Sequence, residues 1–264
     1  MKVLIAGATG SIGRLVVDAV LAQGDQARAI VRTPQKTALL PAGVEIVYAD
    51  VSLPETLADA VKEVDAVIFT LGSDGHGRIG ARAVDYGGVR NILQALHRPV
   101  RIALMSTIGV TERLGAWNQR TEAHDWKRRA ERLVRASGHP YTIVRPGWFD
   151  YHARDEHRLV LLQGDRRRSG TPADGVIARK QIAEVLVTAL SDEAAINKTF
   201  ELVAERGNAQ HDLTPLFAAL RADTPGKPDA IDDIDNMPLA DEPEYVLKEL
   251  NAMASRFHDT ADRG

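Results

Sequence analysis

The sequence predicts an α/β fold: a doubly wound parallel sheet followed by a small C-terminal α+β lobe on the substrate side. Short apolar runs alternate with segments of helical period up to Pro146. A glycine-rich turn, Gly7-Ala8-Thr9-Gly10-Ser11-Ile12-Gly13, links the first apolar run to the first helical segment. The alternation then stops after Pro146, where scattered helices and one or two strands follow.

Residues 3–6, 27–31, 44–48, 66–71, 102–106 and 141–144 read as strands, because runs of this length without polar alternation suit strands covered on both faces. Helices are expected near 12–23, 54–63, 81–97 and 122–136. The last carries a stripe of Trp126, Ala130, Leu133 and Val134 on one face, and Gly138 and Pro140 stop it. Such a βαβ series winds right-handed into an open sheet. Segments 177–190, 198–203, 212–220 and 242–257 form the remainder, and 223–243, with four prolines, is an irregular connection. The expected division is a dinucleotide-binding Rossmann core over 1–150 and a smaller region over 151–264 that packs on it and does not fold independently.

The 264 residues are 44% hydrophobic and 26% charged, an ordinary globular composition, and the absence of cysteine excludes disulfides and thiolate chemistry. No stretch approaches the ~18 apolar residues of a membrane span, and no secretory leader is recognisable, so a cytoplasmic protein without a membrane partner is expected. A net charge of −3 gives no reason to expect a nucleic-acid partner. The charge is uneven: residues 223–264 carry −7 and the rest +4, so the acidic end is either a solvated face or the cover of a basic cleft. The basic run Lys127, Arg128, Arg129, Arg132, Arg135 and the cluster Arg166-Arg167-Arg168 read as solvated. His152 and His157 with Asp150 and Asp155 lack zinc spacing, so no metal is expected.

The glycine turn has a physical purpose. Gly7 permits a tight turn, Gly10 lets a pyrophosphate approach the backbone and Gly13 lets the helix pack against the strand, while the helix start near Ser11 turns free N–H groups and a positive dipole end toward the phosphates. At the end of the second strand, where an acidic residue would accept from a ribose 2′-hydroxyl, stands Arg32, with Lys36 four residues on. A guanidinium there matches a 2′-phosphate, which favours NADP(H) over NAD(H).

The spacing G-x-x-G-x-x-G resembles the turn of extended and atypical short-chain dehydrogenases/reductases. So do Ala49-Asp50-Val51, Val84-Asp85-Tyr86-Gly87-Gly88-Val89-Arg90-Asn91 and Tyr141-Thr142-Ile143-Val144-Arg145-Pro146-Gly147. The likeness is to NmrA-like, NAD(P)H-binding members and covers residues 1 to about 150. It implies that Thr9, Ser11 and Ile12 join the glycines at the phosphates, that Asp50 and Val51 flank the adenine, that Thr70, Leu71 and Gly72 line the ribose and pyrophosphate, and that Pro146 also contacts the cofactor.

The same resemblance implies that Ser106 and Lys127 orient the substrate oxygen and the nicotinamide ribose. In the superfamily a tyrosine precedes that lysine by four residues and handles the proton, since residues i and i+4 share a helix face. Here the position holds Ala123, and His124 is the local substitute, unless it is simply a surface histidine. Trp148, Phe149 and Tyr151 either wall the substrate or pack the junction, and His76 lies in a glycine-rich loop over 72–80 that could act as a flap. The expectation is an NADPH-dependent oxidoreductase passing hydride to a small hydrophobic, electron-poor acceptor such as a quinone, an enone or a flavin. The alternative is a non-catalytic NADP(H) sensor. Monomer and homodimer stay open.

Overall fold

The computed structural model describes residues 1–73 and 76–256. The first half contains β1 (Lys2–Ala6), α1 (Ser11–Ala22), β2 (Gln26–Val31), β3 (Glu45–Tyr48) and β4 (Ala66–Phe69). A continuous helical run follows, made of α2 (Gly77–Gly80), a π-helical segment (Ala81–Tyr86) and α3 (Gly87–Ala95). Next come β5 (Arg101–Met105), α4 (Ala116–Thr121), α5 (Ala123–Ala136) and β6 (Tyr141–Pro146). The second half adds β7 (Trp148–Phe149), β8 (Arg158–Leu162), β9 (Val176–Ile177), α6 (Arg179–Ser191), β10 (Lys198–Glu205), α7 (Thr214–Ala219) and α8 (Glu244–Ser255). The expected final helix extended to Phe257, which lies outside the described residues, as do Asp74 and Gly75 of the expected flap.

The strands run β3-β2-β1-β4-β5-β6-β10, all parallel, with β8 and β9 antiparallel to β10 and β7 beside β9. This is a mostly parallel, Rossmann-like sheet flanked by helices, and β10 continues it directly from β6 (Thr199 beside Ile143). Strand residues alternate between two cores. Val3, Ile5, Ala27, Ala29, Ile68 and Val144 face α1 and α6, while Leu4, Val67, Phe69, Leu104 and Ile143 face α3, α5 and α8. Among the described residues, no helix is long and apolar enough to cross a membrane.

Two local expectations fail for identifiable reasons. Residues 54–63 do not form a helix but a 3-10 turn at Pro54–Thr56 followed by further turns. Buried Arg28 sends Nη1 to the carbonyls of Asp59, Ala60 and Lys62 at 3.3, 3.2 and 2.5 Å, which diverts these acceptors from a helical ladder, and Glu63 closes the segment at φ 58°. The basic run of α5 is not a solvated face. Arg128 and Arg132 are 0% and 2% exposed, and the 223–242 segment wraps over them.

That segment supplies the counter-charges. Asp229 accepts from both Arg128 and Arg132 at 2.9 Å, and Glu242 accepts from Arg129 and Arg132 at 2.7 Å. Arg135 reaches Asp223 at 3.2 Å, and Arg145 on β6 forms bidentate pairs with Glu131 and with Asp233. Of the two readings of the acidic end, it is the cover of a basic surface.

Candidate functional site

In a parallel sheet of this winding, ligands meet the carboxyl ends of the strands where the strand order reverses, here between β1 and β4. The glycine turn leaves β1 at that point. Gly7 has φ 93°, and a Cβ on it would stand 2.6 Å from the Thr70 carbonyl oxygen; a Cβ on Gly13 would stand 2.0 Å from the carbonyl oxygen of Gly7. Both positions therefore exclude side chains, and the turn stays narrow. The start of α1 has neither a side-chain cap nor an acidic residue in its first turn, so its N–H groups and dipole remain available to an anion. Gly10 and Ser11 are exposed there, with Thr9 half-buried and Ile12 packed inside. The turn fits a dinucleotide's pyrophosphate.

The other strand ends open onto the same edge. Arg32 and Lys36, exposed after β2, form no ion pair with any described residue. After β3, Asp50 Oδ1 accepts from Ser52, and the carbonyl of Val51 accepts from buried Asn91 at 2.8 Å, which ties this loop to α3. Gly88 of α3 leaves room for Val51 and Leu71, since a Cβ there would come within 2.9 and 2.8 Å of their side chains. Thr70 returns two bonds to the Ala6 carbonyl, which fixes the spacing of β4 from the glycine turn, and Gly72 is exposed beyond it.

After β5, the Ser106 amide bonds to Val144 of β6 and Ile108 to Pro146, so the chain follows β6 before turning away. Ser106 is buried, and it lines one small cavity with Asp85, Lys127, Leu71, Val89 and Met105. Lys127 Nζ lies 2.7 Å from Asp85 Oδ1. Behind Ser106 stands Glu131. Burial opposes ionisation of this carboxyl, but Arg145 and Arg135 outweigh it and hold it at about 2. The Ser106 hydroxyl favours the same charged form from a position outside good hydrogen-bond geometry. The loop after β5 is anchored by Asp165, whose carboxylate takes the amides of Gly109 and Thr111 at 2.7 Å.

Not every expected site residue converges on this cavity. His124 turns its Nδ1 to the Glu112 carbonyl at 3.1 Å; because that oxygen can only accept, Nδ1 carries the proton, and the ring is not among those lining the cavity. Trp148 and Tyr151 form an edge-to-face pair at 6.1 Å, Phe149 lies under the Arg179 guanidinium at 4.8 Å, and Asp150 pairs with Arg179 at 2.7 Å. His76 is exposed just before α2. The sequence motif around Val84 contained Asp85, but its role escaped notice. The available signal was a single carboxylate in the helical segment 81–97.

Comparison with known proteins agrees with this geometry. A family profile described as NAD(P)H-binding matches residues 7–193. The chain is 32% identical over 230 residues to the "uncharacterized sugar epimerase YhfK" of Bacillus subtilis (strain 168), covering 84% of this chain and 99% of that protein. It is 28% identical over 262 residues to sanguinarine reductase of Eschscholzia californica, covering 83% and 95%. Among solved structures, the oxidoreductase ylbE from Lactococcus lactis matches with a TM-score of 0.66 at 20% identity, over 85% of this chain and 100% of that one. ChuY, an anaerobillin reductase from Escherichia coli O157:H7, matches with a TM-score of 0.61 at 19% identity, over 80% and 100%; at such identities these two likenesses show the fold. The glycine turn, the strand order and the matched profile together establish that the chain belongs to the NAD(P)H-binding oxidoreductase family, within its NmrA-like, atypical short-chain group.

Proposed function

We propose that this protein is an NADPH-dependent reductase that passes a hydride to a hydrophobic, electron-poor acceptor, a quinone, an enone or a flavin-like ring. The observation that carries it is the carboxyl edge of the sheet, where a turn kept narrow by Gly7 and Gly13 and an uncapped helix start lie on the same side as Arg32, which forms no ion pair with any described residue. When bound, the nicotinamide would supply the hydride. The backbone of Gly7, Thr9, Gly10, Ser11, Ile12 and Gly13 would hold the pyrophosphate, and Arg32 with Lys36 the 2′-phosphate. Asp50 and Val51 would flank the adenine, Thr70, Leu71 and Gly72 the adenosine side, and Pro146 and Lys127 the nicotinamide side. Ser106 would orient the acceptor oxygen. Trp148, Phe149, Tyr151 and His76 would contact the acceptor from the far side.

The acceptor class follows from Ala123, which packs against the apolar cluster one helical turn before Lys127 and cannot transfer a proton. Quinones and enones delocalise the incoming charge and need less acid help than isolated carbonyls. The name of one relative, sanguinarine reductase, supports a reductase. The small size of the cavity beside Ser106 favours a second reading, an NADP(H) sensor without turnover. Mixing the purified protein with NADPH and a panel of quinones, enones, flavins and simple ketones, while following the nicotinamide absorbance, separates the two. Oxidation by the conjugated acceptors, with ketones about 10²- to 10⁴-fold slower, is expected of the reductase. Rapid reduction of simple ketones would contradict the assigned acceptor class. No oxidation by any acceptor, with unequal affinities for NADPH and NADP⁺, would establish the sensor.

A further inference from the structure

The cavity beside Ser106 contains an unmet demand for hydrogen bonds. Asp85 and Ser106 are each 4% exposed; among the described residues Asp85 Oδ2 has no hydrogen-bond partner, and Ser106 Oγ has none in good geometry, its hydroxyl only leaning toward Glu131. Buried polar atoms without partners are rare and costly, and such groups are commonly met by an ordered water. Here both line the same cavity, together with Lys127, and the cavity has room for about one water molecule. Its remaining walls, Leu71, Val89 and Met105 among them, offer no competing side-chain donor.

The backbone adds an independent sign. Asp85 belongs to the π-helical segment Ala81–Tyr86, inserted between the α-helical turns of α2 and α3. A π turn is rare and is frequently found at functional sites. In this turn Asp85 extends Oδ1 to Lys127 Nζ at 2.7 Å and keeps Oδ2 for the cavity.

We propose that Asp85 is a positioning residue, whose Oδ1 fixes the Lys127 ammonium and whose Oδ2, with Ser106 Oγ, holds one water that delivers the proton for which Ala123 has no group. This rests on the reductase reading above. Addition of hydride to an enone or quinone carbon displaces the π electron pair onto the acceptor oxygen. That oxygen takes a proton from the water, and the electron pair of the broken O–H bond remains as hydroxide. The Lys127 ammonium returns a proton to the hydroxide. Being 19% exposed, Lys127 regains its own proton from solvent.

The test joins a crystal structure to kinetics with NADPH and menadione as the quinone probe. An ordered water within hydrogen-bond distance of Asp85 Oδ2 and Ser106 Oγ is expected in the wild type and in Asp85→Asn, which keeps a polar atom toward the cavity, and is expected to be lost in Asp85→Leu. Correspondingly, Asp85→Leu should lower kcat about 10²-fold with KM changed less than about 3-fold, Asp85→Asn should retain most of kcat, and Ser106→Ala, which leaves the Asp85–Lys127 pair intact, should fall between them. Should Asp85→Leu fail to fold, loss of the ordered water from the crystal structure of Ser106→Ala carries the comparison, since kcat there also reflects orientation of the acceptor oxygen. An active wild type without that water, equal kcat in the Asn and Leu variants, or full kcat in Ser106→Ala would overturn the proposal. A wild type whose NADPH none of the acceptors oxidises would overturn the reductase reading and the proton role with it, a result distinguishable from the loss of the water alone.

Discussion

Lys127 and Arg128 are neighbours on α5 and face two different kinds of surroundings. Lys127 meets a carboxylate that uses one oxygen and leaves the other bare, in a cavity at the carboxyl edge of the sheet. Arg128 gives bonds to Asp229, Asn236 and the Ile234 carbonyl, and Arg132 and Arg135 are comparably matched. Within one helix, charge that is fully paired serves to hold the C-terminal segment in place, whereas charge left partly unpaired lies where a ligand would be handled. A buried charge costs desolvation, so its partners decide which of the two it can be.

The paired side should respond most strongly to loss of a partner. Glu131→Ala leaves the guanidiniums of Arg145 and Arg135, 2.7 and 3.1 Å from its carboxylate, buried and short of charge. Stability measured by urea unfolding should fall by about 3–5 kcal/mol. A loss below about 1 kcal/mol, the scale of an exposed pair, would dissolve the distinction between the two sides.

A smaller effect separates members of the paired side itself. Glu201 reaches Arg145 at 3.3 Å, yet burial pushes its carboxyl up to about 8; Arg145 acts against this, and Asp165 and Asp233 add to the rise. The folded protein thus keeps a proton that the unfolded chain releases near the ordinary value of 4.5. The stability this contributes is full below that value and is lost as pH rises through about 8. Glu201→Gln removes the dependence, so the variant should gain on the wild type, by on the order of 2 kcal/mol, between about pH 5 and pH 8.5. A difference that stays constant with pH would show that Glu201 is ionised throughout.

How legible these features were depended on the range of the interactions behind them. The glycine turn, the parallel strands and the stop at Gly138 and Pro140 are local consequences of backbone and periodicity, and they stand where the sequence puts them. The turns at 57–63 come from Arg28, distant in sequence, capturing carbonyls, which no local pattern announces. The arginines of α5 look like a solvated face until the acids of 223–242, about a hundred residues away, are folded over them. Asp85 gained its place from a π turn, a distortion without a sequence signature of its own.

The unpaired side makes its sharpest claim at Arg32, which follows β2, the strand beside β1 and its glycine turn, and forms no ion pair with any described residue. Calorimetric titration of the wild type and Arg32→Ala with NADPH and NADH tests it directly. The 2′-phosphate assignment requires the variant to lose about 10- to 100-fold in NADPH affinity, as expected for one or two charge-assisted bonds, with NADH affinity nearly unchanged. Equal losses for both nucleotides, or none for NADPH, would contradict it and remove Arg32 from the phosphate site.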